Sequence, residues 1–390
     1  MGRFLLTTRG TAGDVLPFVR IGAELVATGH EAILVSHASF AAVARRAGIG
    51  FAAIDTEDTA GREYGADQLR HEVVLLARHH HLYATVLVGT PGSALPVLIA
   101  AEFLNAPAAW VALTPGRLTV TPEAALGERG GRAGAVSTVR AAMGLPPVAD
   151  WASWLGAAYP MLGLWPDWFD RAGTPAPAGV QLTGFVTGDA IGFADAGLAG
   201  FPDDAGPGDR RGQCPLLVAG GAGPPPHPEF YRVALAGVAE LGHPATVVAP
   251  RRELLPDRLP DGTVWQPRLS FPAVMRRAVA VLHHGGLGTA VRALLAGAPQ
   301  VILAHGADRP DNAARFARLG RAQVLTEERW QPAIIAAALR PALADGVRDP
   351  VRHLIDEPES AAPARAAAAL TALLPPGPLP APVPGGGFTR

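Results

Sequence analysis

Not one lysine occurs in the 390 residues; all 33 basic side chains are arginine. That absence removes several chemistries at once. A P-loop lysine, a kinase lysine, a Schiff-base lysine and a Tyr-x-x-x-Lys dehydrogenase pair all need an amine that this chain lacks. Cysteine is almost as scarce. The single residue Cys214 excludes an intrachain disulfide and any cysteine-based metal knuckle, and it suits a reducing cytosol. No Asp-x-Asp pair occurs, so the familiar carboxylate pair for a divalent cation is missing. A net charge of −1 with 17% charged residues leaves no electrostatic footprint for nucleic acid or an anionic membrane. Long apolar runs are missing too. The longest apolar region, 82–113, is interrupted by Pro91, Pro96, Glu102, Asn105 and Pro107 and reads as strand–helix–strand rather than a membrane span. No signal peptide precedes the strand-like RFLLTT, so a cytoplasmic location is expected.

What is present is an ordinary globular composition, 49% hydrophobic, at a length that suits two domains. Short apolar runs alternate with helical patterns through the first part. FLLTT (4–8), AILVS (32–36), FAAID (51–55), LYATVLVG (82–89) and AAWVAL (108–113) read as strands, and 15–27 as the first helix. Strands buried on both faces and separated by helices predict a parallel, doubly wound sheet. The rhythm is lost over 115–175, where Trp151, Trp154, Trp165 and Trp168 cluster. A second α/β unit resumes with PLLVAGG (215–221) and continues through ATVVAP, TVWQP and QVLT. The fold class expected is α/β, with two facing Rossmann-like domains and a cleft between them. The division expected is 1–185 for the first domain, 186–212 for a linker rich in Gly, Asp and Pro, 213–374 for the second domain, and 375–390 for a disordered tail.

The most informative stretch is 279–320. An apolar strand ends in His284, and Gly285, Gly286 and Gly288 with Leu287 and Thr289 open a helix. Glycines let backbone amides approach a diphosphate, and the helix start adds unpaired N–H groups and a dipole end contributing about 0.3–1 kcal/mol per charge contact. His284 offers a further donor, while alternation turns His283 to the opposite face, where a structural role is expected. Asp14 stands in the turn after the first strand, where an N-cap and a catalytic carboxylate are both open readings. Consecutive His79, His80 and His81 cannot converge on one ion from an extended strand.

Three stretches carry a resemblance. RGTAGDVLPFVRIGAELVATGHEAILVS (9–36), HHGGLGT (283–289) and GADRPDNAARFARLG (306–320) resemble, in this order, motifs of the family 1 glycosyltransferases of GT-B fold, in the bacterial natural-product (antibiotic, macrolide, sterol) branch. The resemblance implies a cytoplasmic, inverting, metal-independent enzyme with no cofactor, which moves a sugar, plausibly a deoxysugar, from a dTDP- or UDP-sugar to a hydroxyl of an apolar aglycone. It implies Asp14 as general base, with Thr11 on the acceptor side. It implies His284, Gly286, Leu287, Gly288 and Thr289 at the donor diphosphate, and Asp308 with Arg309 at the donor sugar. Arg309 replaces the usual glutamine. Arg292 stands where many plant-type relatives carry a ribose-binding glutamate, and Trp265-Gln266 resembles the loop that meets the nucleobase. Trp151 and Trp154 are the candidates for an apolar acceptor pocket. The partners expected are therefore a nucleotide-sugar and an apolar aglycone, without nucleic acid or a membrane span, and with an oligomer left open.

Three other readings compete. A catalytically inactive relative that activates a partner enzyme keeps the fold and is favoured by Arg309, Arg292 and Ala222. A nucleotide-sugar epimerase would need further carboxylates in the cleft. A dinucleotide-dependent dehydrogenase fits poorly, because Gly10-Thr11-Ala12-Gly13 lacks the third fingerprint glycine.

Overall fold

Alternation along single strands decides which side of each sheet becomes core. In β1 (Arg3–Thr7), Phe4 and Leu6 face one hydrophobic cluster and Leu5 faces another. In β8 (Leu216–Ala219), Leu216 and Val218 divide from Leu217 in the same way. This two-sided burial is what a parallel sheet with helices on both faces demands. The computed structural model describes residues 1–55, 64–82, 84–118, 126, 131–157, 159–187, 215–221, 227–345 and 361–375. The expected linker from 188 onward, and the expected tail from 376, lie outside the described residues.

The first sheet also contains β2 (Glu31–Ser36), β3 (Gly50–Ala53), β4 (Thr85–Gly89), β5 (Ala108–Ala112), β6 (Met161–Gly163) and β7 (Val180–Leu182), in the order β3-β2-β1-β4-β5-β6-β7. The second adds β9 (Ala245–Val248), β10 (Thr263–Gln266), β11 (Val281–His283), β12 (Gln300–Leu303) and β13 (Gln323–Leu325), in the order β10-β9-β8-β11-β12-β13. Every pairing in both sheets is parallel. Each sheet therefore reverses its winding once, between β1 and β4 and between β8 and β11. Ligands of such sheets bind outside the carboxyl ends of the strands at that reversal. Where the sequence loses its rhythm, β6 and β7 are only three residues each, too short to imprint a period.

The two units share a core. Ala112, Trp165 and Phe169 of the first pack against Val291, Leu294, Ile302 and Phe316 of the second. Trp165 is fully buried and donates its indole N–H to Asp170 at 2.8 Å. Through this seam passes Arg315, 1% exposed, from the helix Arg309–Arg318. Its guanidinium donates to the carbonyls of Phe169 (3.1 Å), Asp170 (2.5 Å) and Thr174 (2.8 Å), and pairs with Asp311 on its own helix at 2.9 Å. Gly173 permits the approach, since a Cβ there would fall 2.5 Å from Arg315 Cζ.

The last described helix, Ala361–Thr371, belongs to the expected 213–374 span but packs on the first sheet. Ala362, Ala366, Ala367 and Leu370 join the cluster around the first helix, Ala12–Ala27. The chain thus crosses back to the domain where it began.

Truncating a buried cation that satisfies three carbonyls strands those acceptors. Arg315→Ala is expected to cost about 3–5 kcal/mol in urea unfolding. A loss under about 1 kcal/mol, within the range of exposed ion pairs, would show that the seam does not depend on it.

Candidate active site in the interdomain cleft

The turn after β1 is built for a tight approach. Gly10 sits at φ 123°, and a Cβ on it would lie 2.5 Å from Asp14 Oδ2. The helix starts at Ala12, three residues earlier than its apolar pattern suggests, with Thr11 as N-cap. Asp14 Oδ2 accepts from the Thr11 backbone N–H at 2.8 Å and from the Thr11 hydroxyl at 3.0 Å, closing a capping box. Asp14 is therefore not the N-cap, which is Thr11, but its capping-box partner at the third helical position, and it uses only one oxygen for this. Oδ1 faces the cleft, 3.6 Å from Arg117 Nη1.

Arg117 belongs to the 3₁₀ turn Pro115–Arg117 that follows β5. Its Nε lies 3.2 Å from Oδ1 of Asp308, which stands at the N-cap position of the Arg309–Arg318 helix in the second domain. The other Asp308 oxygen, Oδ2, accepts from Asn312 Nδ2 at 3.0 Å. One guanidinium thus spans the two carboxylates for which the resemblance implies the base and donor-sugar roles. Both are partly exposed and meet that one guanidinium.

At the reversal of the second sheet, β11 delivers His284 beside β8. Its Nδ1 lies 3.2 Å from the Ala219 carbonyl, so Nδ1 carries the proton and donates. Burial pushes its pKa down to about 4; the Ala219 bond opposes this, Arg309 adds to it and Asp308 offsets it. His284 is neutral near pH 7, and its Nε2 holds a lone pair rather than the donor expected from sequence. Nε2 lies between two bare backbones. A Cβ on Gly286 would fall 2.5 Å from it, and one on Gly221, at φ 100°, 3.1 Å. Gly286 caps the helix Leu287–Leu295, whose first amides, at Leu287 and Gly288, have no carbonyl one turn behind them. Thr289 is buried in its first turn. Gly220 and Gly221 end the β8 loop; Ala222 and Gly223 lie outside the described residues.

His283 is fully buried and bonds Gln300 at 3.0 Å, as alternation implies, with its pKa lowered to about 3 by burial first and by His284 next. Arg309 stands against the same loop: its Cβ would be 3.3 Å from a Cβ on Gly285. Its buried Nε has no hydrogen-bond partner, and Nη1 reaches only the Gly306 carbonyl at 3.4 Å. Arg292 turns back on its own helix to the Gly288 carbonyl at 3.0 Å. Trp265 and Gln266 end β10, at the far edge of the second sheet, and the Trp265 indole N–H donates to the Ala249 carbonyl at 2.9 Å.

Trp151 and Trp154 are not where an acceptor pocket requires them. They lie in the short helix Trp151–Leu155 that leads into β6, at the amino ends of the strands, opposite the cleft. Their rings meet edge to face at 5.7 Å. The Trp154 indole donates to Glu102, which is paired with the buried Arg140 at 2.9 Å, and Arg140 also lies over the Trp154 ring. An indole that completes the ion pair of a buried arginine is structural. Thr11 stays exposed at the cleft.

Two groups escaped sequence reasoning. Arg117 is one, because it sits in a Pro-Gly-Arg turn inside the arrhythmic stretch. The other joins His227, His305 and Glu327, whose ligand atoms lie within 4.8 Å of one another. The Glu229 N–H donates to His227 Nδ1 at 3.1 Å, so the ring proton is on Nε2, which donates to Glu327 at 3.1 Å. His305 Nδ1 lies 2.8 Å from the other Glu327 oxygen. The set is a hydrogen-bonded triad whose inward His227 nitrogen is already protonated. Among the described residues, no helix is long and apolar enough to cross a membrane.

Known proteins match both parts of the chain. Residues 4–109 match the glycosyltransferase family 28 N-terminal domain, and residues 233–373 match the erythromycin biosynthesis protein CIII-like C-terminal domain. O-mycaminosyltylonolide 6-deoxyallosyltransferase of Streptomyces fradiae is 28% identical over 403 aligned positions, covering 90% of each chain. The crystal structure of the kitacinnamycin glycotransferase superposes with a TM-score of 0.68 at 19% identity, over 96% of this chain and 99% of that one. The Streptomyces sp. SF2575 glycosyltransferase SsfS6, solved with thymidine diphosphate, gives 0.57 at 20% identity, over 96% and 97%. These structures share the two-domain GT-B fold. Taken with the two family domains and the facing carboxylates, they place the chain: it belongs to the nucleotide-sugar-dependent glycosyltransferases of GT-B fold, in the bacterial natural-product branch.

Proposed function

We propose that the protein is an inverting, metal-independent transferase that moves a sugar, a deoxysugar in the reading favoured here, from a dTDP- or UDP-sugar to a hydroxyl of an apolar natural-product aglycone. The observation that carries this reading is the single guanidinium shared by Asp14 and Asp308, with Asp308 close enough to act on the charge of His284. Asp14 Oδ1 takes the acceptor proton as the acceptor oxygen attacks the anomeric carbon. The bond from that carbon to the diphosphate breaks, and its electron pair leaves on the diphosphate. One displacement inverts the centre and needs no enzyme nucleophile.

The leaving charge falls on the amides at Leu287 and Gly288, on Arg309, and on His284 once it has taken a proton. A metal is unnecessary to this scheme, which uses fixed dipoles and a guanidinium throughout. The thymidine diphosphate bound by SsfS6 and the deoxyallosyl transfer named for the Streptomyces fradiae relative support a thymidine diphosphate deoxysugar as donor. Turnover by the purified chain alone separates this reading from that of an auxiliary protein that needs a partner.

Asp14→Asn retains the capping oxygen, so the fold and nucleotide binding should persist. Turnover is expected to fall on the order of 10²-fold or more in steady-state assays, and an unchanged rate would remove Asp14 from the chemistry.

Proton linkage gives a second expectation. Free His284 titrates at about 4, and an anion at Nε2 raises that value in the complex. Between the two values binding takes up a proton, so affinity for a nucleotide-sugar falls as pH rises, by up to about tenfold per unit. Below the free value the dependence vanishes. Titration calorimetry in two buffers of different ionisation enthalpy should report that uptake, and His284→Gln should abolish it. Binding by the native protein with no proton exchanged at pH 6–7 would contradict a phosphate contact through Nε2.

A further inference from the structure

We infer that Arg117 is a positioning residue of the transfer reaction: it aims the cleft-facing oxygens of Asp14 and Asp308 at one point, where acceptor hydroxyl and donor sugar meet. This rests on the function proposed above, and the arrangement of the two carboxylates argues for it.

Both are built alike. Each stands at the start of a helix, and each has Oδ2 tied down locally, by Thr11 in one case and by Asn312 in the other. Each leaves Oδ1 toward the same guanidinium, at 3.6 Å and 3.2 Å. The two distances matter separately. At 3.6 Å, Asp14 Oδ1 is beyond hydrogen-bond range of Nη1, so its lone pairs remain open to an acceptor proton while the nearby charge fixes its direction. At 3.2 Å, Nε holds Asp308 more closely. The turn itself is seated on the second domain, because a Cβ on Gly116 would lie 3.4 Å from that of Asp308 and 3.8 Å from that of Asp311. Arg117 is 46% exposed, so its pairs contribute little to stability. Its role is geometric. It gives the base of one domain and the sugar carboxylate of the other a common reference, so that neither can shift without the other.

Two measurements test this, and the first needs no substrate. In the full-length free protein, Arg117→Gln should speed deuterium exchange about threefold or more at both segments 11–15 and 308–312, with the melting temperature unchanged within about 2 °C. Faster exchange at one segment only, or at neither, would overturn the shared reference whatever reaction the protein performs. The second is kinetic. Arg117→Ala should lower kcat about tenfold to a hundredfold, leave nucleoside diphosphate affinity within about twofold, and recover in part when guanidinium is added at millimolar concentration. A kcat equal to that of the native enzyme, or a loss confined to diphosphate affinity, would refute positioning. Absence of transfer by the native protein would instead refute the transferase reading and leave the exchange result to decide the role of Arg117.

Discussion

The buried guanidinium of Arg315 is the contact on which the rest of the molecule depends. A charge taken out of water is tolerated only when its hydrogen bonds are met, and here three backbone carbonyls from across the seam meet them. Because those carbonyls belong to the first unit and the cation to the second, the bond sets the relation between the two sheets. Asp308 stands at the N-cap position of the helix that carries Arg315, so the position of that carboxylate against the β5 turn follows from the same anchor. The aromatic packing of Trp165, Phe169 and Phe316 around it keeps water from competing.

Both halves of the cleft use one device, a helix start aimed across the gap from the reversal point of a parallel sheet. In the first domain the start is occupied by its own capping carboxylate, which fixes Asp14 and leaves one oxygen to the cleft. In the second, the start at Leu287 carries no acidic side chain in its first turn and is open to an anion. The two ends therefore present opposite electrical faces, one offering a carboxylate and one offering amides. His284 lies with the second and is held neutral near pH 7 by its burial, which spares the strand end an uncompensated charge.

Much of this could be read from residues alone. The strands with four or more apolar positions, the helix behind Gly286 and the opposite facing of His283 and His284 all follow from period and glycine placement. The candidate site was legible where chemistry and local structure coincide: at Asp14, whose one side chain closes the capping box and meets Arg117, and in the glycine run beside His284. It was illegible where meaning comes from across the seam. Nothing in Pro115-Gly116-Arg117 says that an aspartate nearly two hundred positions away completes it. Trp151 and Trp154 misled for the converse reason. Tryptophans outside any period suggest a pocket, but Glu102 and Arg140 had already claimed the indole of Trp154. The proton position on His284 was equally hidden, because the Ala219 carbonyl that determines it arrives from another strand.

The return of residues 361–371 to the first sheet has a consequence for biosynthesis. While the chain is being made, the groove beside Ala12–Ala27 stays bare, because the segment that covers it emerges from the ribosome after the whole second sheet. The nascent first half is thus an exposed apolar surface that must wait, and non-local closure of this kind is slow and prone to misassociation.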